Sequence, residues 1–571
     1  MTLSEQRVSR STRVMVIGFD GATLDLIRPW AEKGNLPHFT RLMKEGAWGP
    51  LQSTMPPVTP AAWSSLATGT NPGKHGLYDF YIRRPDSYKT KVVNAKDRHG
   101  ATLWELLSES GHKVTVFNIP ASYPPDPVNG TMVSGFLTPT HAEDAAYPVE
   151  ALSELKQAVP GFSFYPPAIF SEGEEVHFVD AVMDWDRTAL QATEFLMNHD
   201  RWDFLFTVFT GVDILSHWMW RHMCTQGASV PSSDQEVRQK LADSIQNIYR
   251  QADELLGHLL QAVDEDTFVM IVSDHGFGRL DYYMHLNTWL AQRGYLKFKR
   301  NPFVLLKHLA FRLGLTPLQI MEFLRRLKLG GVVQQTAREH RSLLNTLINK
   351  IFLSLEDIDW SRTKAYTAGY GGPIFVNLKG RQPQGIIDPG EAYEDLLTQI
   401  SAELRSLRHP ETNELFVGKI YRPARDLYWG PYTHLAADLM FEPRDWANQG
   451  FGLHDFASNQ WLGPTPDRTG THRMNGVIFL HGPGIRAGSF IEDAAIIDVA
   501  PTILALMGVP IPSNMDGKVL EGALSEEFSS QLKITYRDID ESTPVTQEAP
   551  ELSEHDEQVL RERLENLGYF G

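Results

Sequence analysis

TFVMIVSDHGFG, residues 267–278, is the stretch that decides the fold. Five of the six residues from Phe268 to Ser273 are apolar, and the run stops at Asp274-His275-Gly276. A short apolar run closed by a turn marks a strand buried on both faces, as in a parallel sheet. Open α/β sheets carry their sites at the carboxyl ends of such strands. Asp274 and His275 cannot share one face of a strand, but from the loop leaving it both can turn toward one ion. An isolated Asp-His-Gly would be read as a solvated turn. This chain supplies further partners in the same kind of position.

Working outward, Val14–Ile17 is a second apolar run, ending in Asp20-Gly21. Taken alone, Asp20 would be read as a helix cap. DFLFTVFT, residues 203–210, is a third strand, and it runs into Gly211-Val-Asp213-Ile-Leu-Ser-His217. Asp213 and His217 are four apart, which puts both on one face of a first helical turn. In MPPVTPAAWSSLATGTNPGKHG, residues 55–76, the spacing predicts a helix opened by Pro60, with Thr59 at or just before its N-terminus. That position welcomes a phosphate or an alkoxide, and it equally suits an ordinary threonine cap. Lys74 and His75 lie on the loop that follows, facing either an anion or solvent. His472 stands in a Gly-flanked loop before a strand at Val477–Leu480. Strand and helix patterns alternate through the first half of the chain, which predicts a parallel sheet covered on both faces.

The 571 residues are 42% hydrophobic, enough for a large core. A net charge of −17 argues against nucleic-acid partners. The single cysteine, Cys224, excludes an internal disulfide framework, suits a reducing compartment and is expected to be a buried thiol. No apolar leader is seen at the N-terminus, and no apolar run reaches about 18 residues, so neither a signal peptide nor a spanning helix is expected. A cytoplasmic protein is expected, with possible peripheral contact at a membrane. Pro120–Pro167 is proline-rich and reads as a surface excursion. The expected units are a catalytic core over 13–290 and 363–525, a helical cap over 291–362 and an acidic C-terminal tail over 526–571. Lys297–Lys350 holds eleven basic residues against Glu322 and Glu339, a net +9. This basic cap would draw an anionic substrate group or an anionic lipid surface, with Phe298, Phe303, Leu306 and Phe311 dipping into the interface. A basic face docked on the acidic core is the plain alternative.

Asp20, Thr59, Asp213 with His217, Asp274 with His275, and His472 form one constellation. Mixed nitrogen and oxygen ligation suits zinc best, with manganese or magnesium as alternatives. At this point the chain resembles the alkaline phosphatase superfamily, in particular its type I phosphodiesterase and nucleotide pyrophosphatase branch. The residues that carry the likeness are GFDG at 18–21, VTPAAWSSLATGTNPGKHG at 58–76, DILSH at 213–217, SDHGFG at 273–278 and GTHR at 470–473. The resemblance implies a doubly wound sheet, with helices on both faces, and two metal ions. It implies that Asp213, His217 and His472 hold one ion, that Asp20, Asp274 and His275 hold the other, and that Thr59 is the nucleophile beside the second.

The chemistry implied is displacement at phosphorus on a small phosphorylated substrate, through a phosphothreonine that water then hydrolyses. The Cys/Ser-x-Pro-x-Arg setting of sulfatases is absent at Thr59, which rejects that activity. No Asn stands near Thr59 on its helix to hold phosphoryl oxygens, so Lys74, Arg473 or the Thr59 backbone N–H is expected to do so. The alternatives are a phosphomonoesterase, a phosphotransferase, or a non-catalytic metal-stabilised binding protein. The last predicts loss of a ligand or of the nucleophile, and all seven positions are filled. Oligomeric state is not legible.

Overall fold

The computed structural model describes residues 12–84, 87–228, 232, 234–326, 350–451, 456–465, 468–538 and 552–567. Its principal sheet is built from β1 (Arg13–Phe19), β2 (Ala47–Gln52), β3 (Val114–Phe117), β4 (Gly130–Val133), β5 (Ala146–Tyr147), β6 (Phe204–Phe209), β7 (Thr267–Val272) and β8 (Asn475–His481). The spatial order is β2-β8-β7-β1-β6-β3-β4-β5, with two short strands, Ser489–Phe490 and Ala494–Ala495, on the outer edge of β2. The five strands from β7 to β4 are mutually parallel, while β8 and β5 run antiparallel at the flanks.

Strict alternation along each central strand divides the core in two. Met15, Ile17 and Phe19 of β1 and Val269 and Ile271 of β7 face one layer. There they meet the helices Glu175–His199, Gly211–Cys224 and Gln235–Gln261. Val14 and Val16, with Phe268, Met270 and Val272, face the other. That side is covered by the helices Thr59–Thr68, Leu103–Glu109 and Val499–Leu506. This is the doubly wound α/β sheet expected from the sequence. Side chains two apart share a face, so a continuous apolar run needs cover on both sides.

Several local expectations differ from the structure. The 120–167 stretch is no surface excursion. It supplies β4 and β5, and Met132, Phe136 and Leu137 are buried. Proline there shapes loops between real elements. The region expected as a tail includes the helix Glu554–Asn566, whose Leu560 and Leu564 are fully buried in the first core layer. Arg84 pairs with Glu557 from outside it (2.7 Å). Cys224 ends its helix exposed, so it is no buried thiol.

A third apolar cluster joins Met284, Leu286 and Trp289 to Val304, Ile374, Ile400, Phe441 and Leu462. The inserted unit therefore takes in chain on both sides of the expected 291–362 cap. Two cap helices are described, Pro302–Arg312 and Pro317–Arg326, and residues 327–349 of the cap lie outside the described residues.

Candidate active site

Three neighbouring parallel strands end at the same place. Asp20 follows β1 directly. The helix carrying Asp213 opens two residues after β6. Asp274 stands two residues beyond β7. The antiparallel strand β8 begins at this end of the sheet, so the chain just before it, Gly470–Arg473, also arrives there. That segment is a short strand and not the loop expected. It pairs antiparallel with Gly276–Arg279, setting His472 opposite Phe277. The signal for it was hidden, because a short segment bounded by Gly470 and Gly476 looks like a turn until a partner strand is supplied.

Each acidic group is placed by its own local device. Gly21 has φ +71°, a left-handed backbone, and its N–H reaches Asp274 Oδ1 (3.3 Å). A Cβ there would stand 3.0 Å from the Asp213 Cβ, so only glycine lets the two strand ends approach. Trp63, a buried residue of the Thr59–Thr68 helix, donates its Nε1 hydrogen to Asp20 Oδ2 (3.1 Å). Thr23, not Asp20, caps the helix that follows β1. Thr59 is the first residue of its helix, with Pro60 second, one position earlier than the sequence suggests.

The imidazoles are aimed in one way. His472 Nδ1 faces Pro57 O (2.8 Å) and His275 Nδ1 faces Gly276 O (3.1 Å). A carbonyl oxygen only accepts, so both rings carry the hydrogen on Nδ1 and present the Nε2 lone pair inward. His217 Nδ1 also faces a carbonyl, Gly470 O, at 3.2 Å.

The inward atoms form two touching groups. In the first, His472 Nε2 lies 3.1 Å from His217 Nε2 and 3.3 Å from Asp213 Oδ1, and His217 Nε2 lies 3.5 Å from Asp213 Oδ2. In the second, His275 Nε2 lies 3.3 Å from Asp274 Oδ2 and 3.6 Å from Asp20 Oδ1, with Thr59 Oγ1 3.3 Å away. His275 also approaches Asp213 Oδ1 (3.9 Å), so Asp213, His275 and His472 can be grouped as well as Asp20, Asp274 and His275. The shorter contacts favour the division in which His217 joins Asp213 and His472. All seven side chains are buried.

This donor set fits divalent cations. Asp20 Oδ1 and Asp274 Oδ2 are buried and accept no hydrogen bond. Burial first, then the neighbouring carboxylates, push Asp20 and Asp274 well above the usual carboxylate range. Burial likewise drives His217 and His275 well below the usual histidine range, and His472 down to about 3. Clustered carboxylates and neutral imidazoles with lone pairs facing one another are costly until a cation lies among them.

The two expected substrate contacts, Lys74 and Arg473, both have partners within the chain. Lys74 is held by Asp516 Oδ1 (2.6 Å) and Asn514 O (2.7 Å). Arg473 donates to Arg279 O (2.6 Å) and to the backbone carbonyls of Thr471 and His472. Both cations are engaged in joining segments of the chain. One basic residue passed over in the sequence lies beside the centre. Arg468 Nη2 stands 2.7 Å from His217 Nδ1, and the guanidinium is buried. Its position four residues before His472 was the available clue.

Beside His472 is a narrow cleft of about 30 Å³ lined by Pro56, Pro57, Tyr370, Gln449 and Thr471. A larger cavity of about 310 Å³ shares Pro56 and Tyr370 with it and is lined further by Tyr78, Asp79, Arg83, Phe375 and Arg381.

Human arylsulfatase K is 34% identical over 58 residues, a match covering 10% of this chain and 11% of that protein. Murine ectonucleotide pyrophosphatase / phosphodiesterase 5, solved in complex with AMP, superposes with a TM-score of 0.48 at 13% identity, over 92% of this chain and 100% of that one. Phosphonoacetate hydrolase from Sinorhizobium meliloti 1021 gives 0.49 at 10% identity, over 87% and 96%. The family model of type I phosphodiesterase / nucleotide pyrophosphatase matches residues 14–347, more than half of the chain, which therefore belongs to that family.

Proposed function

We propose that this phosphodiesterase-type hydrolase depends on two divalent metals and works through a phosphothreonine on Thr59. Asp213, His217 and His472 would hold one ion, and Asp20, Asp274, His275 and Thr59 the other. The observation that carries this reading is the convergence of three Nε2 atoms, three carboxylates and one hydroxyl on a single buried point. Zinc suits such mixed ligation best, with manganese or magnesium as alternatives. When bound, the ions supply Lewis acidity and lower the pKa of the Thr59 hydroxyl.

The chain's own residues set up the rest. Thr59 sits at the first position of a helix, where backbone N–H groups favour the negative charge that grows on phosphoryl oxygens. Its Oγ1 forms a bond to phosphorus as the bond to the leaving oxygen breaks, and the hydroxyl proton ends on that oxygen, which departs as the alcohol. Water then cleaves the Oγ1–P bond and restores the hydroxyl. Buried walls such as Phe277, 4.8 Å from the His217 ring, keep bulk water out of the centre.

The larger cavity next to the cleft supports a substrate with a sizeable group beyond the reacting phosphorus, hence a diester or pyrophosphate. The test compares turnover of bis(4-nitrophenyl) phosphate with that of 4-nitrophenyl phosphate. The diester should be the faster substrate. A monoester turned over faster would move the proposal to phosphomonoesterase.

We further propose contact with an anionic membrane surface through the cap, in a cytoplasmic protein. The support is the exposure of Phe303, Leu305, Leu306, Leu309, Leu313 and Leu315 around one helix of the basic segment. Of the four residues expected to reach the interface, Phe303 and Leu306 are exposed and the other two are not. Phe311 is buried, and Phe298 packs on Phe456 (4.9 Å). Lys307 is buried against Asp357 (2.9 Å), so part of the positive charge is met internally. No described helix is long and apolar enough to cross a membrane.

A further inference from the structure

Arg468 is a buried cation with unused donors. Only 2% of its surface is exposed, and its Nε and Nη1 meet no hydrogen-bond acceptor. Asp213 acts on it from a distance, but among the described residues no carboxylate forms an ion pair with it, and a buried guanidinium with open donors is where an anion can be received. Its hydrogen-bond neighbours among those residues are His217 Nδ1, at 2.7 Å, and the Tyr370 side chain. On its other side lies the Tyr370 ring, 6.0 Å from the guanidinium carbon, and that tyrosine lines the cleft beside His472. The Tyr370 hydroxyl is itself engaged with Thr471 Oγ1 (3.0 Å).

The contact to His217 cannot persist in a loaded site. His217 Nδ1 faces two groups with opposite demands. Gly470 O, at 3.2 Å, needs a hydrogen, while Arg468 Nη2, at 2.7 Å, offers one. If Nε2 gives its lone pair to a cation, the ring hydrogen sits on Nδ1 and goes to Gly470 O. Arg468 then keeps the Tyr370 side chain, which Thr471 shares, and the more distant charge of Asp213, while its Nε and Nη1 stay open in a buried position between a site ligand and the substrate cleft. Its planar fork matches two phosphoryl oxygens, and it has the charge that Lys74 and Arg473 cannot bring.

We propose that Arg468 binds the anionic phosphoryl group of the substrate, an inference that rests on the two-metal reading above. The test is calorimetric binding of inorganic phosphate to the metal-loaded protein, with metal content measured on the same samples. Arg468→Met should weaken phosphate about tenfold or more while leaving metal content unchanged, because a charge-assisted, two-pronged contact is lost. Arg468→Lys should fall between, keeping the charge without the fork. If Arg468→Met fails to fold, the lysine variant decides by the same measure. Unchanged phosphate affinity with metals retained overturns the inference alone. Loss of metal in the variants also overturns it, since Arg468 would then act on His217 and not on substrate. Metal-loaded wild-type protein that binds no phosphate overturns both this inference and the reading it rests on.

Discussion

At the scale of single residues, the centre is an arrangement that makes sense around positive charge. Asp274 shows why. Its Oδ1 takes the Gly21 N–H, which fixes the turn, and its Oδ2 points inward at His275 Nε2 (3.3 Å). Asp274→Asn can keep the first contact and lose the second. It should therefore leave the fold intact and reduce bound divalent metal from two ions to one per chain, with activity lost. Elemental analysis of the purified variant checks this, and two retained ions would remove Asp274 from the ligand set. These residues were legible in the sequence because carboxylates and imidazoles at strand ends have few other reasons to cluster. Arg468 was not. What marks it is burial beside His217 with no ion-paired carboxylate among the described residues, and neither shows in a sequence where arginine is usually solvated. The partners that engage Lys74 and Arg473 were equally hidden, since Asp516 lies 442 residues from the first and the carbonyl of Arg279 lies 194 from the second.

At the scale of elements, the helix Gly211–Cys224 carries two site residues, and its start is held by a buried acid. Asp186 Oδ1 accepts the Gly211 N–H (3.2 Å). Burial raises the Asp186 pKa to about 7, against the opposing pull of that hydrogen bond and of Arg187. A pKa raised on folding means that the folded state binds more protons than the unfolded one between about pH 4 and pH 7. Stability from this group is therefore lost as pH rises through that window. Asp186→Asn keeps an acceptor for Gly211 and removes the charge. Its unfolding free energy should be flatter across the window, with a gain on the order of 2–4 kcal/mol relative to wild type above pH 7. Denaturant unfolding at pH 5 and pH 8 measures it, and parallel slopes for the two proteins would refute it. Long apolar strands such as β1, β6 and β7 were readable because burial on both faces leaves a continuous run. Gly470–Arg473 was not, since its strand character depends on pairing with Gly276–Arg279.

At the scale of the whole molecule, a doubly wound sheet gathers the site, and a separate apolar cluster organises the inserted unit beside it. The layer arrangement followed from alternating strand and helix patterns. The extent of the insertion did not, because strand patterns such as those at Ala365–Thr367 and Ile374–Val376 do not show which sheet or cluster they join. The exposed side chains of the cap form an apolar surface among the described residues, with Leu306 at 64% and Leu313 at 74% exposure. Leu306→Glu with Leu309→Glu should abolish co-sedimentation with phosphatidylserine-containing vesicles and leave turnover of a soluble diester unchanged. If wild-type protein stays in the supernatant, the membrane proposal fails.

The central claim is that Thr59 is the nucleophile of a two-metal centre. The most direct measurement is the turnover of bis(4-nitrophenyl) phosphate by metal-loaded Thr59→Ala beside wild-type protein. The rate should fall by about three orders of magnitude or more, since the bond-forming atom is gone. Thr59→Ala turning over at a rate near that of wild type would contradict the account.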